Sequence, residues 1–271
     1  MASIRVKITL FIILIAFVIT ATNFFAGLYF TNRTMKKTLE EDLAFAIGIV
    51  NDLVGAKMNL IKTEAITMAE KLSEAASNED MRQFMERQIN AFPHILGLAV
   101  FDRGGLVVNY SIPMHFHGVH MTDKYLDMMY GIGATMISSP FYCSVRGDSV
   151  MDVVTPMEGG RFLAMTISGQ TFTDMLSKHK LWRTGHIFML NEEGMFVGAT
   201  YPEIASALDR YAGDAGAKPD RADAESLAIG DLVQKILSTE SGVGGYRFQG
   251  VEHLCAYRRI ADSPMGWRVA V

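Results

Sequence analysis

Residues 98–108 read LAVFDRGGLVV, and 89 positions further on residues 187–197 read IFMLNEEGMFV. Aligned without a gap, both carry four apolar residues, an Asp or Asn (Asp102, Asn191), two variable residues, a Gly (Gly105, Gly194) and a second apolar run. Apolar runs on either side of a short turn with an Asx and a Gly predict a β-hairpin at each place, the Gly supplying the positive φ. The downstream segments also correspond: an irregular or helical stretch, then two strands about a tight turn. In the first half these are SVMDVVTPM (149–157) and RFLAMTIS (161–168) around Glu158-Gly159-Gly160. In the second they are GGYRF (244–248) and VEHLCAYRRI (251–260) around Gln249-Gly250, closed by GWRVAV (266–271). The repeat predicts an α+β chain with two copies of a small antiparallel sheet and side helices.

Upstream of the repeat lies a very different third of the chain. Residues 8–30 (ITLFIILIAFVITATNFFAGLYF) are uncharged and long enough to cross a hydrocarbon core of ~30 Å. The run exceeds the usual h-region of a signal peptide and no Ala-x-Ala site comes after it, so an uncleaved membrane anchor over 1–30 is expected. Past Arg33, Lys36 and Lys37, apolar residues recur in steps of three and four: Leu43, Ile47, Val50, Val54, Met58, Ile61, Ala65, Met68, Leu72 and Ala76. One apolar stripe with no proline before Pro93 predicts a helix continuing from the anchor through a stalk, 31–78, about 100 Å in all at ~1.5 Å per residue. The stripe is longer than one sheet must cover, so a second copy of the chain is expected beside it in a homodimer. Basic residues flank the anchor on both sides, and the positive-inside count does not decide its orientation.

Ser77 and Asn78 can cap a short helix that stops near Asn90, before Pro93. Gln170–His179 and Ala224–Ser238 read as further helices, and 211–224 (YAGDAGAKPDRADA) as an exposed, mobile loop. A formal charge of −4 without a basic cluster argues against nucleic acid as a partner. Cys143 and Cys255 are too few for a disulfide framework and read as buried small hydrophobes.

Several of these residues carry a family resemblance. They are Ser139-Pro140-Phe141-Tyr142, the strand FLAMTIS running into Thr173-Asp174-Met175-Leu176, Gly185-His186-Ile187-Phe188-Met189-Leu190-Asn191 with Gly194, and the closing Gly245-Tyr246, Ala256-Tyr257 and Gly266–Val271. With the anchor and long helix before them, they resemble the double-Cache sensor domains of bacterial transmembrane receptors, over roughly residues 31–271. The resemblance implies two tandem PAS-like modules, a membrane-distal one over 79–182 and a membrane-proximal one over 183–271. It implies that everything after residue 31 lies outside the bacterial cytoplasmic (inner) membrane. It also implies a second span and an output module beyond Val271: a methyl-accepting chemotaxis hairpin first, a histidine kinase or diguanylate cyclase next.

Ligands of that family bind in the distal module, under a cap that here spans about 121–146. The resemblance therefore points to Met121, Asp123, Lys124, Tyr125, Tyr130, Phe141, Tyr142, Cys143, Asp152 and Gln170. Amino-acid-binding members carry Arg-x-Trp-Tyr in the cap and an Asp after the last strand. This chain has Asp123-Lys124-Tyr125-Leu126-Asp127 and Gln170 there, which speaks against an α-amino acid. Lys124 suits an anion such as a small organic acid, and equally a solvated surface. The tyrosines either line a pocket or pack the module.

The segment Met114-His115-Phe116-His117-Gly118-Val119-His120-Met121 offers a competing function, a membrane-anchored copper- or zinc-binding protein using His115, His117 and His120. Its spacing matches no established metal signature. There is no Gly-x-Ser-x-Gly, no phosphate-loop Gly-Lys-Ser/Thr and no His-Glu-x-x-His, and both Gly-x-Gly pairs lack a third glycine. No enzyme chemistry and no cofactor are expected.

Overall fold

The structure, a computed structural model, describes residues 4–111, 133–143, 147–179, 181–182, 185–200, 224–248, 250–261, 263 and 266–271. Tyr125, Tyr130, Lys124, the three-histidine segment and the 211–223 loop lie outside them. By internal contacts the chain divides into Met1–Phe45 and Ala46–Val271, and both sheets fall within the second unit.

Helix α1 runs Ile4–Ser73 as one element. Within the first unit it carries an apolar stretch long enough to cross a membrane, with none of it buried inside the protein. Within the second unit Val50, Val54, Met58, Ile61, Ala65, Met68 and Leu72 of the expected stripe are almost fully enclosed, whereas Ala76 lies past the end of the helix at Ser73 and is exposed. A few residues on, α2 (Asn78–Ala91) starts where the Ser77 hydroxyl accepts from the Asp80 amide. The expected cap is thus made, with Glu79 and Asp80 against the positive end of the helix.

The first sheet holds β1 (Ile95–Phe101), β2 (Val107–Tyr110), β3 (Met136–Ile137), β4 (Phe141–Cys143), β5 (Asp148–Met157) and β6 (Arg161–Ser168). Its order is β2-β1-β6-β5-β3, with β4 also paired to β5. A short helix α3 (Thr171–Leu176) leads out of it. The second sheet holds β7 (Phe188–Leu190), β8 (Phe196–Ala199), β9 (Ser241–Phe248), β10 (Val251–Arg259) and β11 (Arg268–Ala270), in the order β8-β7-β11-β10-β9. Helix α4 (Ala224–Ser238) packs Leu232 and Ile236 onto it among Phe188, Leu190, Cys255 and Tyr257. Both sheets are antiparallel, and both follow one plan. The last strand in sequence inserts between the first strand and the strand just before it.

The plan changes one correspondence. Sequence pattern equates the pair β5–β6 with β9–β10, because each brackets a glycine turn. By position in the sheet β5–β6 correspond to β10–β11, and β9 takes the place of β3 and β4. A tight turn marks adjacency in sequence; sheet order is set by the distant pairings β1–β6 and β7–β11, which leave no local trace. Helix α3 is also shorter than expected. The amides of Lys178 and His179 close onto carbonyls only three residues back, so the last turn tightens and ends it.

The hairpins themselves repeat atom by atom. Asp102 Oδ1 accepts from the amides of Gly104 and Leu106 at 2.8 and 2.9 Å, and Asn191 Oδ1 from those of Glu193 and Met195 at 3.0 and 2.7 Å. Gly105 and Gly194 have φ of 79° and 83°. The open ends match too. Ser111 Oγ accepts from Leu98 N, and Thr200 Oγ1 from Ile187 N, both at 2.9 Å. Those two hydroxyls also stand 89 positions apart, a signal the apolar pattern does not include.

The two sheets are joined within their unit. Phe172 of α3 meets Trp267 edge-on at 5.7 Å, and the Thr173 hydroxyl accepts from Ala199 N. Fully buried Asn191 donates from Nδ2 to Ser139 Oγ at 3.1 Å, a bond from the second hairpin turn to the loop before β4. Asn191→Ala would strand two turn amides and remove this bridge. It is expected to cost about 2–4 kcal/mol, and Asp102→Ala in the half-buried first turn clearly less, as read by denaturant unfolding.

Candidate functional site

Pleating gives the first sheet two faces. On one, Leu98, Val100, Val153 and Met165 are fully buried, with Thr155 and Asn109 as buried polar residues beside them. The other is built in cross-strand rows. Tyr110, Ala99, Ala164, Val154 and Met136 form one row, and Gly97, Thr166 and Asp152 the next. Val150 pairs with both Ser168 and Phe141. Short side chains at Gly97, Ala99 and Ala164 make this face a low floor with a polar centre.

That centre is Asp152. Thr166 Oγ1 donates to its Oδ1 at 2.7 Å. Its backbone is held by one residue: Ser138 N donates to Asp152 O at 2.8 Å, and Asp152 N donates to Ser138 Oγ at 2.9 Å. The residue keeps a small accessible fraction while its carboxyl is enclosed by protein atoms. Burial therefore pushes the carboxyl up to about 6, and the Thr166 hydrogen bond offsets only part of that.

The other expected residues are distributed unevenly. Phe141 and Cys143 alternate onto the Asp152 face, the thiol buried and the ring partly exposed. Tyr142 pairs with Ser149, so it projects from the opposite face, 70% exposed. Gln170 is exposed at the start of α3. Met121, Asp123, Lys124, Tyr125 and Tyr130 lie outside the described residues, as do His115, His117 and His120. Among the described residues, no three His, Cys, Asp or Glu side chains group closely enough to hold a metal ion. Neither cysteine is in a disulfide, and both are buried. Thr166 is the residue that sequence reading misses; its place opposite Asp152 depends on strand register.

Two other features stand apart from this floor. In the second sheet Tyr246 stacks on His253 at 5.0 Å, and burial raises both Tyr246 and Cys255 to about 12. An open groove of about 390 Å³ runs between α1 and α2, lined by Lys57, Leu60, Glu64, Lys71, Gln88 and His94 among others. His94 Nε2 lies 2.9 Å from Glu64 Oε2 there. The groove is a helix surface open to solvent.

No protein-family model matches the sequence, and no curated protein matches it either. Solved structures do. The chain is similar to the ligand-binding domain of the Campylobacter jejuni chemoreceptor Tlp3 in complex with 4-methylisoleucine, with TM-score 0.60 and 8% identity, covering 87% of this chain and 90% of that one. It is similar to the ligand-binding domain of the Pseudomonas fluorescens chemoreceptor CtaA in complex with L-isoleucine, with TM-score 0.61, 12% identity and coverage of 88% and 93%. A third is mmHK1S-Z2, described as the extracellular domain of a histidine kinase, with TM-score 0.58, 14% identity and coverage of 86% and 96%. The fold is shared with these ligand-binding and extracellular domains.

The raised carboxyl has a consequence for stability. The folded chain holds this proton more tightly than the unfolded chain, whose carboxyl has the ordinary value of 3.8. The stability it confers is complete below that value and is lost as pH rises through about 6. Asp152→Asn keeps an acceptor for Thr166 and is expected to stabilise the protein by about 2–3 kcal/mol at neutral pH and by almost nothing near pH 4. Thermal unfolding of both proteins at the two pH values reads the difference.

Proposed function

We propose that this chain is the extracytoplasmic small-ligand sensing part of a bacterial membrane receptor. The observation that carries the proposal is the low floor around Asp152, with a titratable group at its centre, in a tandem-sheet fold shared with chemoreceptor ligand-binding domains. In this reading 1–30 is the anchor in the inner membrane and residues after 31 lie outside the cytoplasm. Residues 31–78 are the stalk, 79–182 the distal ligand-binding module and 183–271 the proximal one. The ligand is a small metabolite held between the floor and the 121–130 segment, by Asp152, Phe141, Lys124, Tyr125 and Tyr130. Chemotaxis is the leading output, ahead of a kinase or cyclase.

Binding would work by favouring one of two arrangements of the first sheet, and only a difference in affinity between them can do that. The loop Ser138-Ser139 supports such a transfer, since it holds the Asp152 backbone on one side and accepts from Asn191 on the other.

A homodimer completes the reading. Opposite its buried stripe, α1 carries a second apolar line at Ile49, Leu53, Ala56 and Leu60, spaced four, three and four. Ile49 and Leu60 are 55% and 61% exposed. That spacing is what a seam between two parallel copies requires.

Two measurements test the proposal. Melting of the full chain in detergent, screened against organic acids, amino acids, amines and purines, is expected to rise for one chemical class. A ligand at about 100 times its Kd adds ~2.7 kcal/mol, and Tyr125→Ala or Phe141→Ala is expected to reduce the shift. A ligand shift untouched by either variant would count against the distal site. Sedimentation of the full chain is expected to show a dimer that Leu60→Glu converts to monomer; a wild-type monomer removes the dimer from the reading.

A further inference from the structure

Three cations stand just past the apolar run of α1. Arg33, Lys36 and Lys37 are exposed, as is every residue over 31–39. At about 100° per residue, Lys36 and Lys37 fall within about 60° of Arg33, so the three share one face of the helix. Tyr29 and Phe30, a turn before Arg33 on that face, are 62% and 63% exposed. Lys37 lies 3.6 Å from Glu41, with 78% and 68% of the two side chains exposed, a pairing too weak to occupy it.

Depth along the axis decides what these cations can meet. At ~1.5 Å per residue, Arg33 lies roughly 5 Å beyond Phe30, and Lys36 and Lys37 roughly 9–11 Å beyond it. The polar layer outside the hydrocarbon is about 5–8 Å thick, so Arg33 falls within it and the lysines at its outer edge. Side chains on a helix lean towards its N-terminus, which here is the membrane side, and a lysine stem reaches further that way. The next charges along the chain are Glu40, Glu41 and Asp42, roughly 15–18 Å past Phe30 and clear of the layer. A solvated stalk surface would mix the two signs; these six charges are sorted by sign along the axis. Cations on the outer side of a span also oppose the positive-inside bias, and here they outnumber Arg5 and Lys7, so an anionic partner at their depth offsets a cost.

We infer that Arg33, Lys36 and Lys37 form a binding face for anionic phospholipid headgroups, of the phosphatidylglycerol class, in the leaflet from which the stalk emerges. Arg33 offers a planar fork of donors that suits a phosphate, and the lysines add point charge beside it. The inference rests on the membrane reading proposed above and adds a lipid partner to it.

The test uses the full chain in nanodiscs of equal parts phosphatidylcholine and phosphatidylglycerol, with a trace of either lipid spin-labelled. Electron spin resonance reads the fraction of each lipid held at the protein surface. Phosphatidylglycerol is expected to be favoured by at least about fivefold. Arg33→Gln, Lys36→Gln and Lys37→Gln together are expected to remove most of that preference, and Arg5→Gln with Lys7→Gln the smaller part. Raising salt from about 0.05 to 0.5 M shortens the screening length from roughly 14 to 4 Å and is expected to cut the wild-type preference several-fold. Equal retention of the two lipids, or a preference that survives the triple variant, overturns the inference. So does displacement by inorganic phosphate beyond that of chloride at the same ionic strength, which marks a site for free anions. The membrane reading is tested separately, by labelling Thr38→Cys in spheroplasts with a membrane-impermeant maleimide, Cys143 and Cys255 being changed to Ser. Labelling is expected. A lipid preference without labelling keeps the lipid-binding face, moves it to the opposite leaflet and removes the extracytoplasmic stalk.

Discussion

Each sheet depends on one long-range pairing. β6 sits between β1 and β5, and β11 between β7 and β10, so the strand that arrives last is the one that joins the sheet's two halves. A hairpin such as β1–β2 has nothing to rest against until β6 has crossed back to it; two strands alone are marginal in water. This explains why β6 is buried along almost its whole length, from Phe162 to Ile167, while β10 begins and ends on exposed residues. Both faces and both edges of β6 are used.

The same arrangement sets what is legible in the sequence. The hairpins are legible because Asp102 and Asn191 do their work locally, each holding two amides within four residues of itself. Helix α4 is legible because its apolar spacing faces one sheet. The matching of β5–β6 to β9–β10 fails because neighbours across a sheet need not be neighbours in sequence. Thr166 stays hidden for the same reason: nothing near it in the chain announces that Asp152 lies opposite. Cys143, by contrast, reads as a small buried hydrophobe and is one.

Asp152 is where local rules and the fold disagree most. A strand reading Val-Met-Asp-Val-Val would pack better with an apolar residue in its middle, and the raised carboxyl measures that conflict. Conflicts of this kind mark places where a chain keeps a group for a purpose other than folding. Beside it, Gly97, Ala99 and Ala164 are too small to fill space on their own account, which is a poor way to build a core and a good way to leave room.

The hydrogen bond from Asn191 to Ser139 ties the turn of one sheet to the loop that carries the centre of the other. Hydrogen bonds weaken steeply when stretched by a few tenths of an ångström, so this one behaves as a short stiff strut. Because Asn191 also holds the β7–β8 turn, and Gly194 in that turn sits against Val233 and Leu237 of α4, the strut ends on a helix. The turn of the second sheet and its covering helix are thereby tied to the loop that holds the backbone of β5.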